Sequence, residues 1–397
     1  MTTAAEEKPA TKEPPARRGF SLPRNAEKLA FPIVMGIGIL FPFFFDAGGT
    51  VMGTAVLALA YTVMALGLNI IVGFAGLLDL GFVAFFAIGA YTMGWFGSLF
   101  FANVNHQKGV HILVSGRAAA LPGIHINFLL ILVAAMIFTT IAGMIIGLPT
   151  LRLRGDYIAI VTLAFGEIVG RVAVNGDDLK IGGQPLTAGR QGITPVDKID
   201  LPFLEPFKSL DLKPWYYVAL ALVALAIFVS FRLRDSRLGR AWIALREDEV
   251  AAVSMGVPAV RTKLLAYGTG AAFGGMSGAF LGSFNNTVNA DQFQFYFSIL
   301  ILGMVILGGL GSIWGVVLGA IVLTTINFYL IPDVFNTIPG DLGLDFDTSQ
   351  ITFAIYGFLL VIMMIMRPEG LLPERRRKAE LHEAEGEETI TATVATP

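Results

Sequence analysis

The chain contains no cysteine in 397 residues. Disulfides, thiolate metal sites and thiol catalysis are excluded at once. Charge is scarce as well: Asp, Glu, Lys and Arg fill 15% of positions, against about 25% in a soluble domain. The net charge is only −2, so no basic field points to nucleic acid. Histidine is limited to His106, His111, His125 and His382, which share no metal-ligand spacing. No G-x-x-x-x-G-K-[ST] stretch occurs. The chain therefore lacks a loop to cradle a nucleotide's phosphates, and any ATP that drives its work is hydrolysed by another chain. Residues 1–28 carry no apolar core or cleavage site, so they do not read as a signal peptide. Nothing calls for a cofactor.

What is abundant is apolar: 55% of residues, with a mean hydropathy of +0.69. Glycine is heavy too, at 45 residues. Small residues suit close helix packing in lipid, where no hydrophobic force drives helices together. A helix needs about 20 apolar residues to cross a bilayer. Ten segments qualify or nearly do: 30–46, 50–72, 80–102, 126–148, 157–174, 215–231, 263–284, 296–308, 312–331 and 351–366. The runs are continuous rather than alternating, so helices are expected over barrel strands. The predicted fold is an all-α polytopic membrane protein of about ten transmembrane helices. Its eighth segment is short and ends at Gly308, Gly309 and Gly311, as a half-helix or re-entrant element would.

Charge orients these spans. With the N-terminus inside and ten crossings, 20 of the 28 basic residues fall on the inner side and seven on the outer, and Arg171 lies within a span. That asymmetry predicts both termini in the cytoplasm. The expected organisation is a disordered N-tail (1–29), a transmembrane domain (30–366) and a largely disordered C-tail (367–397). The tails are too polar to bury a core. Residues 175–214, rich in Gly and Pro, form the largest outer loop. Residues 232–262 form the largest inner one.

The inner loop reads SRLGRAWIALREDEVAAVSMGVPAVRTK from Ser236 to Lys263. Two short helices fit it, Arg240–Arg246 and Glu247–Met255, the second ended by Gly256 and Pro258. Glu249, Ala251, Ala252 and Gly256 form an E-x-A-A-x-x-x-G pattern. Small alanines permit close approach to a groove on a partner. A solvated connector between two spans is the plainer account.

The same loop resembles the coupling loop of ABC importer permeases, although Val250 interrupts the usual E-A-A run. Four other stretches resemble the LivM branched-chain amino-acid permeases: GFAGLLDLGFVAFFAIGAY (Gly73–Tyr91), LPTLRLRGDYIAIVTLAFGEI (Leu148–Ile168), GGLGSIWGVVLGA (Gly308–Ala320) and RPEGLLP (Arg367–Pro373). Together they run from about residue 50 to 375. The resemblance implies a heteromeric importer in the bacterial inner membrane. Its partners would be a homologous LivH-like permease subunit, two cytoplasmic ATPase subunits and a periplasmic amino-acid-binding protein. It also assigns ATPase coupling to Arg240, Glu249, Ala251, Ala252 and Gly256.

Several polar residues stand out against this apolar ground. Glu167 and Arg171 are one helical turn apart. At 1.5 Å per residue from Tyr157, Glu167 lies about 15 Å deep. They form either a packing ion pair or a substrate contact, with Glu167 facing an ammonium. Asp79 and Asp156 are each placed to cap the helix that follows, and Asp79 is also a candidate gate residue. Asn285, Asn286 and Asp291 lie in a polar outer loop, either solvated or at the pathway mouth. Gly268, Gly270, Gly274, Gly275, Gly278 and Gly282 stripe the seventh span for tight packing or for sliding. An importer permease for branched-chain or other small apolar amino acids is the leading reading. A urea or short-chain amide permease of similar build is the second, and an ion-coupled secondary transporter the third. A membrane enzyme lacks the paired carboxylates or His clusters it would need.

Overall fold

A computed structural model describes residues 24–103, 106–115, 119–151, 153, 157–181, 183–200, 207–208, 210–335, 352–367 and 369–372. Arg152, Arg154, Asp156 and most of both tails lie outside these residues. The chain is helical: α1 (Arg24–Leu40), α2 (Thr50–Asn69), α3 (Val83–Phe96), α4 (Phe128–Thr150), α5 (Tyr157–Asn175), α6 (Lys213–Arg234), α7 (Arg237–Glu247), α8 (Glu249–Ser254), α9 (Ala259–Phe284), α10 (Phe295–Gly308), α11 (Ile313–Thr325) and α12 (Thr352–Met366). Wider turns extend α2 through Ile70–Phe74 and α11 through Ile326–Phe335. The polytopic all-α class is therefore the one observed. Among the described residues, five helices, extensions included, are long and apolar enough to cross a membrane, and shorter apolar helices accompany them.

The helices alternate in direction. Ser277 of α9 donates to the Ala60 carbonyl of α2, while Gly270 abuts Gly67, so these two run antiparallel. Gly274 and Gly278 of α9 meet Phe85 and Phe86 of α3, and Gly282 meets Ala90, so that pair runs parallel. Gly143 and Gly147 of α4 face Tyr267 and Leu264, again antiparallel to α9. Tyr216, near the start of α6, donates to Gly38 near the end of α1. Leu371 and Leu372, just past α12, donate to the carbonyls of Leu307 and Gly308 at the end of α10. Both ends of the described chain thus lie at the same end of the bundle as α7 and α8.

Helix α9 is the hub. Its glycines let α2, α3 and α4 approach backbone to backbone, and a Cβ at Gly275 or Gly278 would overlap Thr139 or the Phe86 carbonyl. The sequence left packing and sliding open for this stripe. The contacts on three sides are those of packing.

Several boundaries differ from expectation, among them the end of α3 at Phe96 rather than 102. Helix α1 begins at Arg24 rather than 30, because Arg24, Asn25, Glu27 and Lys28 extend the helix into polar sequence. It stops at Leu40, ahead of Pro42, which cannot continue an α ladder. Helix α3 begins at Val83 and has only 14 residues, about 21 Å against a core of about 30 Å. The missing length is made up by residues 75–82, which are non-helical and re-enter the bundle. The sequence placed such an element at the eighth span instead. There α10, also 14 residues, meets α11 in a turn covered by Gly370–Leu372.

The opposite end carries a small cap. Strands β1 (Gly97–Ser98), β2 (Gly109–Ile112) and β3 (Gly123–Ile126) pair in the order β1-β3-β2, and β4 (Lys180–Ile181) pairs with β5 (Gln184–Pro185). The loop after α5 is fastened rather than loose. Trp95 donates to Leu186, Thr187 to Ala173, and Ile193 bridges to Val288.

Candidate functional site

Polar groups gather at a segment within the bundle and along the uncovered face of α5, and a third assembly lies at the α7–α8 end. The first place is the re-entrant segment. Asp79 is 2% exposed. One carboxylate oxygen accepts from the Gly81 amide at 2.8 Å, and the other is buried without a hydrogen-bond partner. Thr162 of α5 receives the Leu80 amide, and Ser298 of α10 receives Val83. The approach to α3 and its first amide are therefore satisfied by side chains from two other helices. Asp79 does not cap α3 as the sequence suggested: it accepts from the Gly81 amide, two residues before the helix begins at Val83, and the cap position, Phe82, makes no side-chain bond. Asp79 also presents one unsatisfied oxygen in the interior, beside the wall formed by α5 and α9.

The second place is α5. Residues Tyr157, Ile160, Ala164, Glu167, Ile168, Arg171 and Asn175 are exposed along one stripe, while Ile158, Ala159, Thr162, Gly166 and Ala173 pack inward. Glu167 and Arg171 approach to 3.9 Å, with side chains 50% and 79% exposed. Helix α4 is the counterexample: each of its exposed residues, among them Leu129, Val133, Ile137, Phe138, Ile141 and Ile145, is apolar.

The α7–α8 elbow is the third assembly. Ser236 caps α7 and Asp248 caps α8, each side chain accepting an amide three residues on. Gly256 turns the chain at φ +89°, a backbone state that glycine adopts without strain. Helix α7 is held against its own bundle. Trp242 is buried and donates to the Thr262 carbonyl at 2.7 Å, and Leu245 is buried beside it. Arg246 donates to the Gly73 carbonyl at 2.6 Å and packs over Gly76. The elbow thus grips the foot of the segment that carries Asp79.

The elbow presents its two alanines differently. Ala251 and Ala252 were both placed at a partner contact. Ala251 is exposed, but Ala252 is 6% exposed and faces its own chain. A helix this short turns only some of its positions outward, and Ala252 falls on the inner side. The outward face is Val250, Val253 and Met255. Glu249 is engaged internally, its carboxylate 2.7 Å from the Lys263 ammonium. Arg240 reaches back to the Asp235 carbonyl. The sequence did not single out Val250, Val253 and Met255, although three apolar residues in a polar loop are a visible signal.

At the cap end, Asn285 and Asp291 are exposed, and the Asn286 carbonyl accepts from Val196. This loop is tied to the cap by the Ile193–Val288 bridge. Histidines that looked unrelated meet here: His111 stacks on His125 across β2 and β3, and His125 contacts Asp197 at 2.6 Å. Burial disfavours the charged imidazolium. The Asp197 hydrogen bond and charge, together with the Pro122 carbonyl, nevertheless hold the His125 pKa above its ordinary value.

Residues 50–366 match the family described as branched-chain amino acid transport system / permease component. The chain belongs to that permease family. It is 35% identical over 384 residues to the high-affinity branched-chain amino acid transport system permease protein LivM of Salmonella typhimurium, covering 91% of this chain and 79% of the relative. It is 36% identical to LivM of Escherichia coli over 375 residues, covering 89% and 77%. A shorter likeness, 28% over 158 residues, links it to the permease protein LivH of Escherichia coli, covering 40% of this chain and 46% of that one. No solved structure matches the chain.

Proposed function

We propose that the chain is the membrane-spanning permease subunit of a binding-protein-dependent importer of branched-chain amino acids in a bacterial inner membrane. The α7–α8 end faces the cytoplasm with both termini, in line with Arg232, Arg234, Arg237, Arg240, Arg246 and Arg261 at that end. A LivH-like permease pairs with it, and α5 faces the path between the two. Two ATPase subunits dock below, and a periplasmic binding protein delivers substrate at the cap. The substrate reading rests on the LivM relatives.

The observation that carries the coupling mechanism is the Arg246–Gly73 hydrogen bond. Val250, Val253 and Met255 offer an apolar knob to the ATPase. Helix α7, locked by Trp242, carries movement of that knob to Gly73 and Gly76. The re-entrant segment and Asp79 then shift against α5. ATP binding and hydrolysis on other chains thereby act on the path without any nucleotide site here.

Deleting the gene is expected to abolish most uptake of leucine, isoleucine and valine and to spare urea uptake; the reverse pattern refutes the substrate assignment. A cysteine replacing Met255 should be shielded from an impermeant thiol reagent in spheroplasts, and one replacing Leu210 should react. The Met255→Asp and Val250→Asp pair should lose ATPase co-purification, whereas Ala252→Trp should first disturb the elbow's own packing. Arg246→Ala should keep assembly and lose leucine uptake. Normal uptake in Arg246→Ala rejects the transmission route.

A further inference from the structure

The Glu167–Arg171 pair has a geometry that a packing ion pair does not explain. Glu167 sits near the middle of α5 and Arg171 one turn from its far end at Asn175, about 15 and 21 Å from Tyr157 by helix rise. Both depths are inside a hydrocarbon core of about 30 Å. Their side chains are 50% and 79% exposed, with Nε and Oε2 3.9 Å apart, near the outer limit of an ion pair. Lipid is a poor occupant for this face, because charge at the bilayer centre is expensive. The rest of the stripe differs from the lipid-type face of α4. It runs Ile160, Ala164, Glu167, Ile168, Arg171, with a small residue one turn from the carboxylate and an isoleucine on either side of it.

We propose that Glu167 and Arg171 form a transient binding site for the head group of a free α-amino acid on its way through the permease. The inference rests on the permease reading above. Glu167 receives the ammonium. Arg171 grips the carboxylate, for which the planar guanidinium fork is suited. The two opposite charges of the zwitterion are separated by one carbon, and the two opposite charges of the pair by one helical turn. Laid head to tail, each charge gains two opposite neighbours. The pair is neutral overall and so is the ligand, so net charge never builds up in the low-dielectric interior. Ile160 and Ile168 provide apolar surface for an aliphatic side chain, and Ala164 leaves room for it. The loose 3.9 Å spacing fits this use, since a tight pair would have to be broken before each passage. Uncharged amides such as urea gain nothing from such a pair, which makes it a selectivity element within the path.

The test uses the complete importer, with the partner permease, ATPases and binding protein, in proteoliposomes. Leucine uptake and co-purification of the partner permease are measured for wild type, Glu167→Gln, Arg171→Gln and Arg171→Lys. Each Gln variant is expected to lose uptake roughly tenfold or more while the subunits still co-purify, and Arg171→Lys to recover part of the loss. A second readout is direct. A cysteine replacing Ala164 should be labelled by a water-soluble thiol reagent, and leucine supplied with the binding protein under turnover should slow that labelling. Uptake within twofold of wild type in both Gln variants overturns the site. So does loss of co-purification in the Gln variants, which assigns the charges to a contact between the two permeases. Absence of any amino-acid uptake by the wild-type complex overturns the functional reading and this proposal together.

Discussion

Helices α4 and α5 are neighbours in the chain, and both leave most of their surface uncovered, yet they expose opposite chemistry. Helix α4 presents only apolar residues, Val133, Ile137, Ile141 and Ile145 among them. Helix α5 presents Glu167 near its middle, where α4 presents Ile137 and Ile141, and Arg171 one turn from its far end. Their buried faces are alike, built on Gly143 and Thr139 in one and Gly166 and Thr162 in the other. The buried face only has to fit. The exposed face has to match its solvent, and it reveals whether that solvent is lipid.

The largest effect expected from breaking the contrast is a charge placed on the apolar side. Ile137→Arg should cost about 2.5–3.5 kcal/mol of insertion free energy, read with a glycosylation-mapped insertion reporter, and Ile137→Leu should be silent. If Arg is tolerated at 137, α4 does not face lipid. The converse change removes charge from α5. The double variant Glu167→Leu with Arg171→Leu should insert at least as well as wild type and should lose leucine uptake roughly tenfold or more. Poor insertion of that double variant would mean that the pair serves folding.

A finer comparison uses thiols, since the chain has none of its own. Ala164→Cys on α5 should react with a water-soluble reagent and Ile141→Cys on α4 should not; equal reactivity dissolves the distinction between the faces. The smallest effect lies at the cap, where β3 leads into α4. His125 has a raised pKa in the folded chain, so its protonation adds stability. That contribution is complete below the unfolded value of about 6.5 and disappears as pH rises through the folded value. His125 faces Asp197 and stacks on His111, and Asp200 is held by Ser115 nearby. Melting curves of wild type and His125→Asn should therefore differ by on the order of 1 kcal/mol in mild acid and converge in alkali. A gap that widens with rising pH contradicts the assignment.

The sequence by itself determined the all-α polytopic class and the apolar helices that make it. These follow from composition and from runs of about 20 apolar residues, because lipid imposes its demand on every residue of a span. It also singled out Glu167 and Arg171 as one pair, since a helix fixes neighbours four residues apart. Only the tertiary structure decided what those residues face. Nothing in a helical period reveals which side a neighbouring helix covers. The inward course of residues 75–82 was equally hidden, although the sequence broke the chain at 73–79 between two spans. The backbone there is satisfied by Thr162 and Ser298, which lie 82 and 215 residues away. The inward turn of Ala252 and the Arg246–Gly73 clamp are contacts of the same kind. They depend on distant segments meeting, and the α9 glycines allow those segments to meet so closely.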